Sequence, residues 1–155
     1  MFLKNYWYCA ALPEEITNKP LRRIICNLPI VFYRDTNGNP VALEDRCSHR
    51  QAPLSSGTIR DDNIQCSYHG FVFNGDGKCV YIPHQKNIPQ RAHIISYPIK
   101  EKWGFVWIWN GNPKLADQNK IPSLPWTKNP KRSPVFLYYY VKANHQLVAD
   151  NLLDI

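Results

Sequence analysis

The sequence of 155 residues has no long hydrophobic run. Its first apolar stretch, in MFLKNYWYCAALPEE, is ended by Pro13 and two glutamates. This stretch is too short for a membrane span and does not fit a signal peptide. The sequence also lacks internal repeats and low-complexity tracts. We therefore expect a cytoplasmic protein that does not insert into a membrane.

Cysteine is sparse and odd in number. Five cysteines in a chain with no secretory signal argue against a disulfide framework and favour metal ligation or burial. We expect three of them, Cys9, Cys26 and Cys79, to be ordinary core residues. The 13 prolines argue against long helices.

The formal net charge is +7, but the basic residues are scattered. Their densest group, Lys128, Lys131 and Arg132, lies in a proline-rich stretch. This pattern does not predict nucleic-acid binding. It fits a solvated surface, or a positive surface that docks an acidic protein partner.

Short apolar or alternating runs between turn signals predict a mainly β domain, an antiparallel sandwich or barrel. In chain order the runs are IVFYR, VALED, NIQCSY, FVFN, KCVYIP, HIISYPIK and WGFVWIW. Asn37-Gly38 is a hairpin signal. Alternation in the last run places Trp103, Phe105, Trp107 and Trp109 on one face and Val106 and Ile108 on the other.

The sequence predicts that the chain is divided into three parts. We expect a first domain over residues 1–112, a proline-rich linker over 113–134 and the start of a second domain over 135–155. In this last part, VFLYYYVKA predicts a strand. Asn144 is a candidate cap for a helix with one apolar stripe, formed by Leu147, Val148, Leu152 and Ile155.

Two tight pairs of metal-ligand residues carry the chemistry. Cys47 and His49 are separated by one residue, Cys66 and His69 by two, and sixteen residues lie between the pairs. Three interpretations are open: coincidence, a structural zinc site, and a Rieske [2Fe–2S] cluster. Zinc modules more often pair like ligands. Mixed pairs suit a Rieske cluster, in which each loop supplies one ligand to each iron.

On these residues the sequence resembles the Rieske domain of ring-hydroxylating and demethylating non-haem iron oxygenases. The pairs lie in CSHRQAPLSSG and CSYHGFVFNGDGKCVYIP. The flanking segments are most similar to the oxygenase components of vanillate and dicamba O-demethylases; they are NYWYCAALPEEI, KPLRR, IVFYR, GFVWIWNGNPKLAD and DNLLDI. The resemblance implies a Rieske β-sandwich followed by the start of an α+β, helix-grip catalytic domain.

Three differences refine the resemblance. Rieske proteins of respiratory bc complexes carry an extra cysteine in each ligand loop, where this chain has Ala52 and Tyr68. The serine that hydrogen-bonds the cluster in that class is also missing after His69. Fewer donors to the sulfurs imply a potential in the low part of the Rieske range. The oxygenase family usually has Trp where this chain has Phe71, and we expect packing to adjust.

The resemblance also implies the enzyme's remaining parts. It implies Cys47, His49, Cys66 and His69 as cluster ligands, and a mononuclear Fe(II) in the full-length enzyme only, whose two histidines would fall beyond Ile155. Asp150 and Asp154 match the acids before those histidines. From spacing alone they form a solvated helix face. The resemblance instead makes Asp154 an electron bridge between subunits of a homotrimer and places Asn151 near that iron.

The implied partners are a reductase or ferredoxin electron donor, O₂ and a small organic substrate that is hydroxylated or demethylated. A stand-alone Rieske ferredoxin is the alternative, although such carriers end near the equivalent of WIWNG. A zinc-binding interaction module is the third function class. The substrate itself is not predicted.

Overall fold

The computed structural model describes residues 2–131, 133–135 and 137–153. Two compact units are distinguished, Met1–Leu124 and Pro125–Ile155. The first unit is built from ten short antiparallel strands, and the described part of the second contains one α-helix. Among the described residues, no helix has the length and apolarity needed to cross a membrane.

The strands form three antiparallel sheets, as predicted for a mainly β domain. The strands are β1 (Tyr6–Ala11), β2 (Leu21–Ile25), β3 (Leu28–Arg34), β4 (Pro40–Glu44), β5 (Thr58–Arg60), β6 (Asn63–Gln65), β7 (Val72–Phe73), β8 (Cys79–Tyr81), β9 (Ile99–Lys102) and β10 (Phe105–Asn110). The strand orders of the three sheets are β1-β10-β9, β2-β3-β4 and β5-β6-β7-β8. Every pairing joins sequence neighbours except that of β1 with β10, which brings the two ends of this unit together.

Local turn chemistry sets the hairpins. The predicted turn at Asn37-Gly38 joins β3 to β4, and the Gly38 N–H donates to the Asp35 carbonyl at 3.0 Å. Gly38 has φ +79°, which glycine adopts without a Cβ penalty. Trp103, which we predicted within a strand, instead forms the β9–β10 turn with Gly104, and both have positive φ.

The alternation predicted for β10 is confirmed. Trp107 and Trp109 pack with Trp7 on one face of the sheet, and Trp103 and Phe105 border this cluster. On the other face, Val106 and Ile108 pack against a second cluster that contains Phe32. Both faces of β10 are therefore buried, which explains its almost continuous apolar sequence.

In the first unit, the first half of the predicted linker packs on the tryptophan cluster, where Ile121 is 3% exposed. The domain boundaries at 112 and 134 remain predictions. The prediction that Cys9 is a core residue is wrong: it is exposed on edge strand β1, whereas Cys79 is buried and Cys26 partly buried.

In the second unit the helix prediction is confirmed and the strand prediction is wrong. The helix α1 spans His145–Leu153, and the Asn144 side chain accepts a hydrogen bond from the Gln146 N–H at 2.9 Å. The described residues of the predicted strand, 135 and 137–143, form no strand. Apolar β-branched and aromatic residues give strand propensity, but a strand also needs a partner, and none of the described strands pairs with this segment.

Candidate metal centre

The four candidate ligands lie on two loops that follow short strands. Cys47 and His49 come after β4, and Cys66 and His69 come after β6. In both loops the chain turns directly after the strand, so the cysteine stays at the edge of the core and the histidine reaches outward.

The two loops fold alike although their histidines have different spacing. Each cysteine N–H donates to the carbonyl five residues later, that of Ala52 or Phe71, at 2.8 Å. Each cysteine carbonyl accepts from the N–H four residues later, at 2.9 Å from Gln51 and 3.1 Å from Gly70. The two loops are therefore closed by the same pair of backbone hydrogen bonds.

The left-handed backbone position is also shared by the loops. Gln51 has φ +59° and Gly70 has φ +73°. At Gly70 a Cβ would approach the Pro83 ring at 3.0 Å, so only glycine fits without movement of this covering residue. Pro83, from the segment after β8, thus seals the second loop.

The thiols are buried and the imidazoles are exposed. Cys47 and Cys66 are each 2% exposed and belong to a core cluster with Leu54, Ile64 and Phe73. His49 is on the surface. Burial raises the pKa of the Cys47 thiol to about 11, while the backbone N–H groups of His49 and Arg50 act to lower it and the adjacent Cys66 thiol raises it further.

The two imidazoles lie side by side at the surface. Their ring centroids are 4.6 Å apart at an interplanar angle of 63°. Phe71 stacks on the His49 ring, with centroids 4.7 Å apart and planes within 6°. The ring centroids of Tyr68 and His69 are 3.8 Å apart. We expected the packing to adjust at Phe71, and its ring makes a flat contact with His49.

The donor set fits a two-iron cluster better than a single metal ion. The two thiols lie together on the buried side, and the two imidazoles lie together on the exposed side. Among the described residues, no three His, Cys, Asp or Glu side chains converge as ligands of one ion. Structural zinc requires four such ligands at one point, whereas each iron of a Rieske cluster takes only two from the protein.

Of the residues predicted to serve the mononuclear iron, those that the structure describes lie on α1, in the second unit. Asp150 and Asn151 are both exposed on this helix. Asp154 lies outside the described residues. The structure therefore brings together the four candidate cluster ligands, and the expected roles of Asn151 and Asp154 stay predictions.

Comparison with known proteins identifies the family. The Rieske [2Fe-2S] domain family matches residues 6–98. The chain belongs to this family. The predicted Rieske cofactor and mainly β Rieske fold are thereby confirmed, and the zinc interpretation is set aside.

The chain is similar to subunits of oxygenase systems, as the sequence predicted. This chain is 44% identical over 154 residues to a putative toluene-4-sulfonate monooxygenase system iron-sulfur subunit, TsaM2, of Comamonas testosteroni; the match covers 99% of this chain and 44% of the relative. It is 43% identical over 155 residues to a vanillate O-demethylase oxygenase subunit of a Pseudomonas species, covering 100% of this chain and 44% of the relative.

A solved structure matches over nearly the whole chain. It is dicamba monooxygenase with non-haem iron and dicamba, with 43% identity and a TM-score of 0.93, covering 99% of this chain and 47% of that one. The chain thus spans less than half the length of each of these relatives. The predicted likeness to vanillate and dicamba O-demethylases is confirmed.

Proposed function

We propose that Cys47, His49, Cys66 and His69 hold the Rieske cluster, with both thiolates on one iron and both imidazoles on the other. The observation that carries this proposal is the matched pair of loops, each presenting one buried thiol and one exposed imidazole. When bound, such a cluster accepts and donates one electron.

The burial of the candidate ligands indicates which side of the centre faces a redox partner. The thiols face the apolar cluster that contains Leu54 and Phe73, both 0% exposed, which keeps water from that side. His49 and His69 face the surface, so the path to a redox partner is shortest through the imidazoles. We infer that electrons enter and leave on the histidine side.

For the full-length protein we infer an oxygenase component, an oxidoreductase that uses O₂ and electrons supplied by a reductase or ferredoxin. It would hydroxylate or demethylate an aromatic or other small organic substrate at a mononuclear Fe(II). Relatives with these activities in their names match 99% or more of the chain. Their named substrates, toluene-4-sulfonate and vanillate, differ, so the proposal extends to the class of substrate only.

The helix α1 is the part of the chain that would serve this iron. We propose that Asn151 lies near it and that Asp154 bridges to a cluster histidine of a neighbouring subunit in a homotrimer. Within the second unit, Asn151 borders an apolar groove of about 470 Å³ with Leu147 and Val148.

The five free cysteines suit a reducing compartment, and we expect the protein in the cytoplasm.

The charge around the histidines supports an acidic electron donor. Segments 46–52, 66–71 and 82–92 contain four arginine or lysine residues and no aspartate or glutamate. Arg46 is paired with Glu44 at 2.7 Å, which leaves three exposed cations, Arg50, Lys86 and Arg91. Arg91 and His49 line one groove of about 440 Å³. Complementary charge would steer an acidic donor toward this face.

The ligand assignment is tested by paired substitutions in the purified chain. We expect Cys47→Ser and His69→Ala to lose iron, acid-labile sulfide and the visible absorption. The controls are Cys79→Ser, a buried thiol outside the ligand loops, and His93→Ala, an exposed imidazole, and both should keep full cluster content. Full cluster content in Cys47→Ser and His69→Ala would overturn the assignment.

The docking proposal is tested by the rate at which an NAD(P)H-dependent oxygenase reductase bleaches the oxidised chain. Arg50→Glu and Arg91→Glu should slow reduction several-fold at low salt, and the difference should shrink at high salt because screening weakens the attraction. Lys100→Glu, an exposed charge outside these segments, is the control. Equal rates and equal salt dependence in all variants would refute the proposal.

A further inference from the structure

The two ligand loops differ in what holds their ends together. The second loop begins after β6 and ends at β7, and these strands pair with each other, Gln65 with Val72 and Ile64 with Phe73. Backbone ladder hydrogen bonds therefore close this loop at its base.

The first loop has no such ladder. It begins after β4, in the β2-β3-β4 sheet, and leads through the 3₁₀ turn Leu54–Ser56 to β5, in the β5-β6-β7-β8 sheet. No pairing joins β4 to β5 in the described residues. Burial of Leu54 at 0% exposure anchors the outgoing side, but it does not fix the distance between the loop ends.

A side chain makes the missing link. The Asp45 carboxylate accepts a hydrogen bond from the Ser55 N–H at 2.6 Å and a second from the Ser55 hydroxyl at 2.7 Å. Asp45 lies two residues before Cys47, so this pair spans the whole first loop. Its two short bonds resemble in length the charge-assisted class, which is roughly twice as strong as neutral hydrogen bonds.

Asp45 is itself held firmly. Its N–H donates to the Pro29 carbonyl at 3.0 Å. Its side chain is 0% exposed, and Arg22 Nε lies 3.1 Å from the carboxylate while the Arg22 side chain is 55% exposed. A buried carboxylate is costly unless charged or hydrogen-bonding partners surround it, and Asp45 has both.

We propose that Asp45 is a positioning residue that clasps the first ligand loop through Ser55 and thereby sets where Cys47 and His49 stand relative to the second loop. This inference rests on the proposed function, because it assumes that these residues hold the cluster. Asp45 touches none of the four candidate ligands in its hydrogen bonds and acts only through the backbone that carries them.

The test compares two adjacent serines in the cluster-loaded chain. Ser55→Ala removes the hydroxyl bond to Asp45 and keeps the backbone bond, so the chain should still fold. Hydrogen bonds to charged groups stabilise a fold more than neutral ones do. We therefore expect a chelator to remove the cluster from Ser55→Ala about tenfold faster than from the unchanged chain. Ser56→Ala, exposed and in the same turn, should match the unchanged chain, and Ser55→Thr, which keeps the hydroxyl, should restore slow loss.

A second measurement separates positioning from plain stabilisation. The EPR spectrum of the reduced cluster should change in Ser55→Ala while the far-UV circular dichroism stays unchanged. Equal rates of cluster loss and identical EPR spectra in Ser55→Ala and Ser56→Ala would overturn the proposal that Asp45 positions the first ligand loop through Ser55. If the unchanged chain itself carried no iron-sulfur signal, the proposed function would fail instead, so the two failures are distinguishable.

Discussion

Gly57, which ends the first ligand motif CSHRQAPLSSG, is expected to tolerate no side chain. Its φ of −92° is one that any residue adopts, so backbone strain is not the reason. A Cβ at this position would lie 2.0 Å from the Gln65 carbonyl oxygen and 2.9 Å from that of Leu54. Both atoms are backbone, and Gln65 directly precedes Cys66.

The cost of Gly57→Ala follows from this geometry. The Gln65 carbonyl would have to retreat by about 1.4 Å to reach ordinary van der Waals contact. Such a shift disrupts the pairing of Thr58 with Gln65 at the start of β5. Overpacking against atoms that cannot rotate away lies at the upper end of the known range, about 3 kcal/mol. With a urea dependence of about 2 kcal/mol per M, the midpoint should fall by roughly 1.5 M.

The assay is urea unfolding followed by tryptophan fluorescence, with Gly75→Ala as the matched control. At Gly75 a Cβ would meet only the Val41 methyl groups at 3.6 Å, an ordinary contact. The control should therefore keep the midpoint of the unchanged chain. If the two variants unfolded within about 0.3 M of each other, the close approach of the two backbones would not be as tight as described.

Three further predictions concern the frame and the cluster. Arg34→Lys should cost about 2 kcal/mol in urea unfolding, because the guanidinium donates to three backbone carbonyls at 2.6 to 2.8 Å; Arg60→Lys, exposed, is the control. Phe73→Ala should cost about 3–5 kcal/mol in the same assay, since Phe73 is 0% exposed, whereas Tyr81→Ala, 53% exposed, should cost far less. The reduction potential, measured by redox titration, should lie at about −150 mV and not at about +300 mV, because no serine follows His69 to donate to the cluster as in the bc-complex class.

Local sequence signals predicted several elements of both units. The Asn37-Gly38 turn, the alternation along β10 and the Asn144 cap all rest on interactions within a few residues, and each was found. The spacing of Cys47, His49, Cys66 and His69 was equally informative, because ligand chemistry restricts it more strongly than packing does.

Two of the missed features depend on contacts beyond a residue's immediate neighbours in the sequence. Strand β1 was not predicted because its partner, β10, lies about a hundred residues away, and a single sequence does not reveal such a pairing. The hydrogen bonds of Asp45 to Ser55 could not be read from the motif either, since any acid before the cysteine looks like a surface charge.

The central claim is that two matched loops of this chain hold a Rieske cluster through two thiolates and two imidazoles. EPR and visible spectroscopy of the freshly purified chain, before and after reduction, test it most directly. We predict a coloured protein with two irons and two labile sulfides per chain and, on reduction, the EPR signal of a [2Fe–2S] centre with mixed nitrogen and sulfur ligation. A colourless protein with one zinc per chain would contradict the claim.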